Sequence, residues 1–235
     1  MMDVNDIFPI EKFTSKSDSI FKNIPDDVRF QLEQKMEEKT YRKGQRIFLE
    51  GSYPAGVFFI KDGLVKKYKT DQSGKEHILY LCSNGELLGY SALLCNEPYP
   101  DSAAALEVSK IQFISDEAFL QITNASNKLM LNLLSSLSHE FGVMTNSVTV
   151  MSRMTAKERL ALMLLLLSAK FKQRTKAELV EIILSRDDLA NMLGVATETA
   201  VRLLYGLKDD GIISIDGKKI IILNAEELVR ISKFY

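Results

Sequence analysis

The clearest periodic pattern in the chain lies in its middle, between Lys128 and Met151. Apolar residues recur there at alternating steps of four and three, the heptad spacing at which one helix packs along a partner helix. This row consists of Met130, Leu134, Leu137, Phe141, Met144, Val148 and Met151. A second row contains Leu129, Leu133 and Val143. We therefore predict a long helix that places one row against a second copy of the chain and the other row against the domain before it.

Short apolar runs separated by turns precede this helix. The runs within residues 41–85 are rich in β-branched and aromatic residues, and each ends at a turn that contains glycine. The pairs Asp62-Gly63 and Asn84-Gly85 are typical of antiparallel hairpins. Further strands are expected within residues 103–114, and short helices within residues 19–39. The pattern predicts an antiparallel barrel or sandwich rather than an α/β sheet.

A helix that is apolar nearly all round follows the heptad pattern. Thr155 and Glu158 have the spacing of a capping box, in which each side chain accepts a hydrogen bond from the other residue's backbone N–H. Apolar positions continue to Lys170, and a helix without a polar face must be buried. We predict that a polar, basic loop over residues 171–178 and a short strand over residues 179–184 come next.

Two short helices joined by a sharp turn are predicted between Ser185 and Leu207. Ser185 and Asp188 are placed to cap the first helix, and Gly194 permits the turn. The second helix directs Ala200, Leu203, Leu204 and Leu207 inward, and Thr197, Glu198, Val201, Arg202 and Tyr205 outward. The dipeptide Asp216-Gly217 between two β-branched runs is a strong hairpin signal. Helix, turn, helix and hairpin together form a winged helix.

Composition narrows the class of protein without identifying it. The chain has 235 residues, of which 46% are hydrophobic and 26% charged, as in soluble globular proteins of one or two domains. No apolar run reaches the roughly 20 residues that cross a bilayer, and the first residues lack the features of a signal peptide. Cys82 and Cys95 form neither a disulfide framework nor a zinc motif. These features indicate a cytoplasmic protein that does not enter a membrane. The net charge of −1 does not exclude a basic surface on one domain.

The runs and their turns resemble the cyclic-nucleotide-binding β-roll of the Crp/Fnr regulators. The resemblance rests on Lys43-Gly44-Gln45, Glu50-Gly51, Ile60-Lys61-Asp62-Gly63, Ser73-Gly74-Lys75-Glu76 and Gly85-Glu86-Leu87-Leu88-Gly89. The winged-helix segment resembles the DNA-binding domain of the same family. The resemblance implies an α+β chain with an N-terminal antiparallel β-roll of the double-stranded jelly-roll type, a dimerisation helix and a C-terminal winged helix-turn-helix domain. The expected domains are residues 1–126, 127–152 and 153–235.

The resemblance also implies which residues contact DNA. Glu198 would accept from a cytosine N4, and Arg202 would donate to a base of a TGA-type half-site core. Arg186 and Thr199 match positions that hold phosphate. The full expected set is Arg186, Thr197, Glu198, Thr199, Val201, Arg202 and Lys218. Thr197 stands where cAMP-responsive members have arginine, so the outer half-site bases stay open. Alternatively, Glu198 and Arg202 form an ion pair on a solvated face.

The pocket implied by the resemblance departs from the cAMP-binding pattern. Tyr90 stands where cAMP binders have the ribose-binding glutamate, and Asp101 precedes Ser102 where they have arginine, so a carboxylate would repel the phosphate. We expect a small organic effector rather than cAMP, held by stacking and hydroxyl groups. The expected contacts are Tyr80, Leu88, Gly89, Tyr90, Ser91, Ser102, Ala103 and Thr145. Alternatively, the tyrosines of this region, including Tyr99, fill the barrel.

These features predict a homodimeric transcription regulator that responds to a small molecule. It would bind a near-palindromic promoter site with half-sites about 34–36 Å apart. The expected partners are double-stranded DNA, a second copy of the chain and RNA polymerase, which family activators touch at the place of residues 171–178. No enzyme activity is expected, because no phosphate loop, catalytic triad or metal cluster is visible. The alternative from another functional class is an enzyme that carries a regulatory β-roll.

Two alternatives concern the roll alone. In one, it serves only as a dimer scaffold in a regulator without an effector. In the other, Cys82 and Cys95 form a thiol redox sensor. The iron–sulfur sensors of the family use four cysteine ligands, whereas this sequence has two cysteines. His77 and Cys82 are the candidate axial ligands for a haem, and both are better explained as strand residues.

Overall fold

The structure is a computed structural model, and it describes residues 8–175 and 180–233. The chain divides into two compact units. One runs from Ser15 to Phe141, and the other combines the residues up to Thr14 with those from Gly142 onward. A helix from Asn127 to Arg153 continues from one unit into the other.

Two four-stranded antiparallel sheets form most of the unit from Ser15 to Phe141. Their strands are β1 (Glu37–Tyr41), β2 (Arg46–Phe48), β3 (Gly56–Asp62), β4 (Leu64–Thr70), β5 (Glu76–Ser83), β6 (Leu87–Leu88), β7 (Ser102–Ala105) and β8 (Ser109–Ser115). One sheet has the strand order β1-β8-β3-β6 and the other the order β2-β7-β4-β5. All of these pairings are antiparallel. The predicted antiparallel β-roll is therefore confirmed.

Helices flank the roll in the order of the chain. They are α1 (Asp26–Lys35), α2 (Tyr90–Cys95), α3 (Asp116–Ala125) and the long α4 (Asn127–Arg153). The helical stretch predicted to reach Lys39 was too long. Met36 already has an extended backbone with ψ of 129°, and the next residues pair with β8 as part of β1. Sheet pairing therefore overrides the helical pattern after Lys35.

Two glycines allow close contacts that a side chain would block. Gly63, between β3 and β4, has φ of +132°, and a Cβ built there would lie 2.2 Å from Ser109 Oγ. Gly89 has φ of +82° and precedes α2, where a Cβ would lie 3.1 Å from a ring carbon of Tyr99. Positive φ favours glycine because it has no Cβ. Gly89 thus sets the position from which Tyr90 starts α2.

One apolar row of α4 is buried and the other is exposed. Leu129 and Leu133 are fully buried and pack in a core with Phe119 and Ile122 of α3. The exposed row, hereafter the seam, contains Met130, Leu134, Phe141, Met144, Val148 and Met151. Leu137 lies between the two groups, because it is partly buried against the same core. The roll therefore covers one side of α4 and leaves the other side uncovered.

The second unit contains the elements of a winged helix. They are α5 (Ala156–Thr175), β9 (Ile182–Ile183), α6 (Arg186–Leu193), α7 (Thr197–Asp209), β10 (Ile213–Asp216), β11 (Lys219–Ile222) and α8 (Ala225–Ser232). The three strands form an antiparallel sheet in the order β10-β11-β9. In the capping box at the start of α5, Thr155 N–H donates to Glu158 Oε2 at 2.7 Å. The helix-turn-helix and its hairpin are confirmed.

Two predictions about this unit were wrong. Residues 171–175 continue α5 instead of forming a loop, and residues 176–178 of the predicted loop lie outside the described residues. Lysine, arginine and glutamine are good helix formers, and basic residues are favourable in a last helical turn. The predicted strand over residues 179–184 is shorter, spanning Ile182–Ile183 within the described part. The sequence pattern also missed α8, which begins where Asn224 Oδ1 accepts from Glu227 N–H at 3.0 Å.

Candidate nucleic-acid interface and effector pocket

Helix α7 carries an exposed polar face and is held in place by its buried face. Ala190 of α6 and Ala200 of α7 are almost fully buried. Small side chains let two helices approach closely, so these alanines allow α7 to lie against α6. On the opposite face, Glu198, Arg202 and Tyr205 are exposed. Thr197, Thr199 and Val201 are half-buried at the edges of this face.

Glu198 and Arg202 are one helical turn apart but make no ion pair. Neither side chain has a hydrogen bond or ion pair with another residue in the described ranges 8–175 and 180–233. Their separation of four residues would permit a pair on the helix surface. The carboxylate and guanidinium therefore both keep their hydrogen-bonding capacity for an outside partner.

Arg186 lies against the tip of the hairpin. Its Nη2 donates to Gly217 O at 2.8 Å. Its Nη1 is buried and has no hydrogen-bond partner among the described residues. Lys218, the next residue of the tip, is exposed. The structure thus brings Arg186 and Lys218 together at the hairpin tip, although the sequence separates them by 32 positions.

The other lysine of the hairpin is already paired. Lys219 Nζ lies 2.9 Å from Glu181 Oε2, and the hydrogen bond from Lys219 to Glu181 raises the pKa of the lysine. Lys218 makes no ion pair with any residue in the described part of the chain. Of these two neighbours, Lys218 is the cation that stays available to an anion.

Thr197, at the start of α7, is held by a residue of α6 that was not predicted, Asp187. Thr197 Oγ1 donates to Asp187 Oδ1 at 2.8 Å, which links α7 to the first turn of α6. Asp187 was not predicted as a site residue. Its neighbour Asp188 is used differently, since its backbone N–H donates to Ser185 Oγ in the N-cap of α6. No local pattern indicated this bond, because Asp187 and Thr197 are ten positions apart in the sequence.

Tyr90 is the centre of a buried hydrogen-bond network in the other unit. Its hydroxyl donates to Glu140 Oε1 at 2.8 Å and lies 3.0 Å from Ser136 Oγ. Ser15 Oγ donates to the same Glu140 oxygen at 2.9 Å. Ser15 N–H donates to Tyr80 Oη at 2.6 Å. Burial, followed by the charge of Glu140, raises the pKa of Tyr90.

The network connects two predicted pocket residues, Tyr80 and Tyr90. The residues between them, Ser15 and Glu140, were not predicted. Tyr80 and Tyr90 do not contact each other in any hydrogen bond described above, but both connect to Ser15 and so to Glu140. Glu140 lies on α4 between two positions of the heptad row, Leu137 and Phe141. The polar groups of the predicted pocket therefore satisfy one another within the chain.

An ion pair lies beside this network. Lys67 Nζ is 3.1 Å from Asp101 Oδ2, and the Asp101 side chain is almost fully buried. Lys67 pairs in register with Tyr80 and with Ala103 on the neighbouring strands. Burial lowers the pKa of Lys67, but the charges of Asp101 and Glu140 outweigh it, so the pKa is raised overall. Asp101, expected only as a repulsive group, has a lysine partner.

The remaining predicted pocket residues take no part in the hydrogen bonds described above. Ser102 is buried, and its Oγ accepts from Glu50 N–H at 3.0 Å. Leu88 and Ala103 belong to the apolar core of the roll, and Ser91 is half-buried. Thr145 belongs to the other unit.

Tyr99 is also part of the core of the roll. Its ring stacks on Phe48 with centroids 4.0 Å apart, and burial raises the pKa of Tyr99 to about 12. Its hydroxyl donates to Gly56 O at 3.4 Å. The ring thus fills space inside the roll.

Within residues 8–175 and 180–233, no group of three or more His, Cys, Asp or Glu side chains is arranged to hold a metal ion. In the same ranges, no helix has the length and apolar character required to cross a membrane.

Both units of the chain match known protein families, and the chain as a whole is similar to transcription regulators. Residues 38–126 match the family model of the cyclic nucleotide-binding domain, and residues 158–231 match that of the Crp-like helix-turn-helix domain. The chain is 32% identical to the fumarate and nitrate reduction regulatory protein of Vibrio cholerae over 204 residues, which cover 86% of this chain and 81% of that protein. It is 31% identical to the transcriptional activator protein anr of Pseudomonas aeruginosa over 191 residues, which cover 81% of this chain and 78% of that protein.

A solved structure shares the fold. The structure of FixK2 from Bradyrhizobium japonicum matches with a TM-score of 0.73 and covers 85% of this chain and 98% of that chain. Its sequence identity of 22% supports the likeness of fold alone.

Proposed function

The chain belongs to the Crp/Fnr family of DNA-binding transcription regulators, and we propose that it binds a near-palindromic promoter site as a homodimer. The observation that carries this proposal is the exposed face of α7, where Glu198 and Arg202 have no partner among the described residues. A buried face opposite an unpaired polar face is what a recognition helix in the major groove requires. A protein with this role acts in the cytoplasm, where the DNA is.

Within a half-site, each proposed contact has its own task. Glu198 accepts from a cytosine N4, and Arg202 donates to a base acceptor of a TGA-type core. Val201 offers an apolar surface to a thymine methyl group. Arg186, Thr199 and Lys218 contact phosphates and set the register. The contact of Arg186 with the hairpin tip supports this role, because it places the cations of Arg186 and Lys218 at one tip.

The seam of α4 supports the homodimer. Phe141 is 77% exposed and Val148 is 65% exposed, which is unusual for large apolar side chains in a regular row. A contiguous exposed apolar surface of this kind marks an interaction site. Heptad spacing selects a second helix of the same period as the partner. Symmetry about such an axis gives half-sites about 34–36 Å apart.

The charges in the roll support an effector other than a cyclic nucleotide. Asp101 and Glu140 supply two carboxylates around Lys67, and the nearby Lys69 is already paired with Glu50. Ser102, a candidate phosphate ligand, already accepts from Glu50 N–H. An anionic phosphate would therefore meet net negative charge. A small organic molecule that can replace the bonds of Tyr90 fits this site better.

A second candidate is a regulator that needs no effector. The specific observation in its favour is that Tyr80, Tyr90, Ser15 and Glu140 satisfy one another without a ligand. In this case the roll serves as a scaffold that fixes α4. Extensive dialysis separates the two candidates, because a protein that depends on a reversible effector loses operator affinity when the effector is removed.

The proposed function is tested by fluorescence anisotropy with two labelled duplexes. One carries a palindrome of two TGA half-sites with centres one helical turn apart, and the other carries the same bases scrambled. We expect tighter binding to the palindrome, with two chains bound to each duplex. Equal affinity for both duplexes at physiological salt would overturn the assignment of α7 as a sequence reader.

A further inference from the structure

The hydrogen bond between Thr197 and Asp187 has a fixed direction. A carboxylate only accepts, whereas a hydroxyl has one proton to donate and two lone pairs. The 2.8 Å bond from Thr197 Oγ1 to Asp187 Oδ1 therefore uses the one proton of the threonine. Towards any further partner, Thr197 can only accept a hydrogen bond. A threonine without this neighbour could act in either direction.

The surroundings of Thr197 strengthen this polarity. The N-cap residue Ala196 offers no side-chain cap to α7, and Asp187 and Glu198 place two carboxylates near that end of the helix. The positive end of the helix dipole favours both charges. The two carboxylates disfavour a DNA phosphate beside Thr197 itself. The favourable partners for the oxygen atoms at the start of α7 are the N–H donors on base edges.

From these contacts we propose that Asp187 is a positioning residue that decides which bases Thr197 prefers, because it holds the threonine hydroxyl as a hydrogen-bond acceptor. This inference rests on the proposed function, because it needs α7 to lie in the major groove. There, adenine N6 and cytosine N4 are donors, whereas guanine and the O4 of thymine present acceptors. An acceptor-only hydroxyl selects adenine or cytosine on the contacted strand. Thr197 thus reads the base pair beside the one that Glu198 reads, and it rejects guanine and thymine there.

The test is a selection from a palindromic duplex whose base pairs flanking the TGA cores are randomised. The wild-type chain should enrich adenine or cytosine about fivefold over guanine or thymine at one flanking position, as expected for one net hydrogen bond. Thr197→Val keeps the shape but lacks the hydroxyl, so it should lose this preference and keep the core. Thr197→Ser is the matched control and should keep both.

Asp187→Asn tests the positioning role. An asparagine can donate to the threonine oxygen through its amide, which releases the hydroxyl proton for DNA. This variant should accept guanine or thymine at the flanking position as well as adenine or cytosine. A merely structural role of Asp187 would lower affinity for every sequence without altering the base preference.

The outcomes separate this inference from the proposed function. An unchanged flanking preference in Thr197→Val, or a wild-type chain that selects the core but no flanking base, overturns the role of Thr197. A flanking preference that Asp187→Asn leaves unaltered overturns the role of Asp187. Failure of the wild-type chain to select any core would instead overturn the proposed function.

Discussion

The hydroxyl of Tyr90 donates to Glu140 across 2.8 Å and thereby connects the start of α2 to the long helix α4. The same carboxylate oxygen accepts from Ser15 at 2.9 Å. One side chain of α4 therefore receives bonds from two separate segments of the roll unit. A change at the predicted pocket that disturbs Tyr90 acts directly on the helix that carries the seam.

Replacing Tyr90 by phenylalanine should destabilise the chain. The variant removes a hydrogen bond to a carboxylate and leaves Glu140 with one fewer donor, at a cost of about 2 kcal/mol. Urea unfolding followed by circular dichroism measures the change. Tyr53→Phe is the matched control, because Tyr53 is 70% exposed and should unfold as the wild type does. Equal midpoints for Tyr90→Phe and the wild type would show that the network contributes nothing to stability.

Removing Asp101 should have a larger effect than removing a surface carboxylate. Asp101→Ala leaves the half-buried Lys67 without its 3.1 Å partner, and a lysine deprived of its partner costs roughly 1–3 kcal/mol. The double variant Lys67→Met with Asp101→Ala should recover part of the loss, because no unpaired charge is left. Thermal unfolding of the three proteins measures both effects. A double variant less stable than Asp101→Ala alone would contradict this account.

A charge placed on the seam should break the proposed dimer. Phe141→Glu introduces a carboxylate at a side chain that is 77% exposed, so the monomer should tolerate it while two facing helices should not. Light scattering after size-exclusion chromatography gives the mass in solution. Phe30→Glu is the control, since Phe30 is 61% exposed but lies on α1 and is not part of the seam. A dimer that survives Phe141→Glu would place the interface elsewhere.

Arg202 and Lys218 should affect DNA binding in different ways. Arg202→Ala should remove about 1–3 kcal/mol of discrimination between the palindrome and a scrambled duplex, and should leave the dimer intact. Lys218→Ala should weaken binding to both duplexes alike and reduce the salt slope by about one, because it removes a phosphate contact. Anisotropy titrations at several salt concentrations distinguish the two. Full selectivity in Arg202→Ala would exclude the role proposed for it.

The capping carboxylate of α5 should make stability depend on pH in the acidic range. The bond from Lys233, followed by that from Thr155, lowers the pKa of Glu158 from 4.5 to about 2. Because the folded pKa is depressed, the contribution is present above pH 4.5 and is lost as the pH falls towards 2. The melting temperatures of the wild type and Glu158→Gln should therefore differ at pH 7 and converge at low pH. Glu97→Gln, at an exposed position, should match the wild type throughout.

Local patterns were enough to predict most of the elements. The capping box at Thr155 and the hairpin at Asp216-Gly217 involve residues within a few positions of each other, so their geometry follows from the backbone alone. The two apolar rows of α4 lie on different sides of the helix. Their positions in the sequence were enough to distinguish the buried Leu133 from the exposed Leu134. The limit of α5 was misjudged because polarity was taken as a sign of a loop, although the polar end of a helix has the same composition.

The antiparallel roll, the exposed row of α4 and the helix-turn-helix could be predicted from the sequence, because turns and apolar periodicity are encoded within each segment. Which polar groups meet could not be predicted. Glu140 joins Tyr90 from 50 positions away, and Asp187 joins Thr197 from 10. A hydrogen bond between distant segments depends on how the sheets and helices pack. The local sequence does not distinguish which of several carboxylates will bond to a given donor. Packing pairs Lys67 with Asp101 and Thr197 with Asp187, and this sets the charge of the predicted pocket and the hydrogen-bonding direction of Thr197.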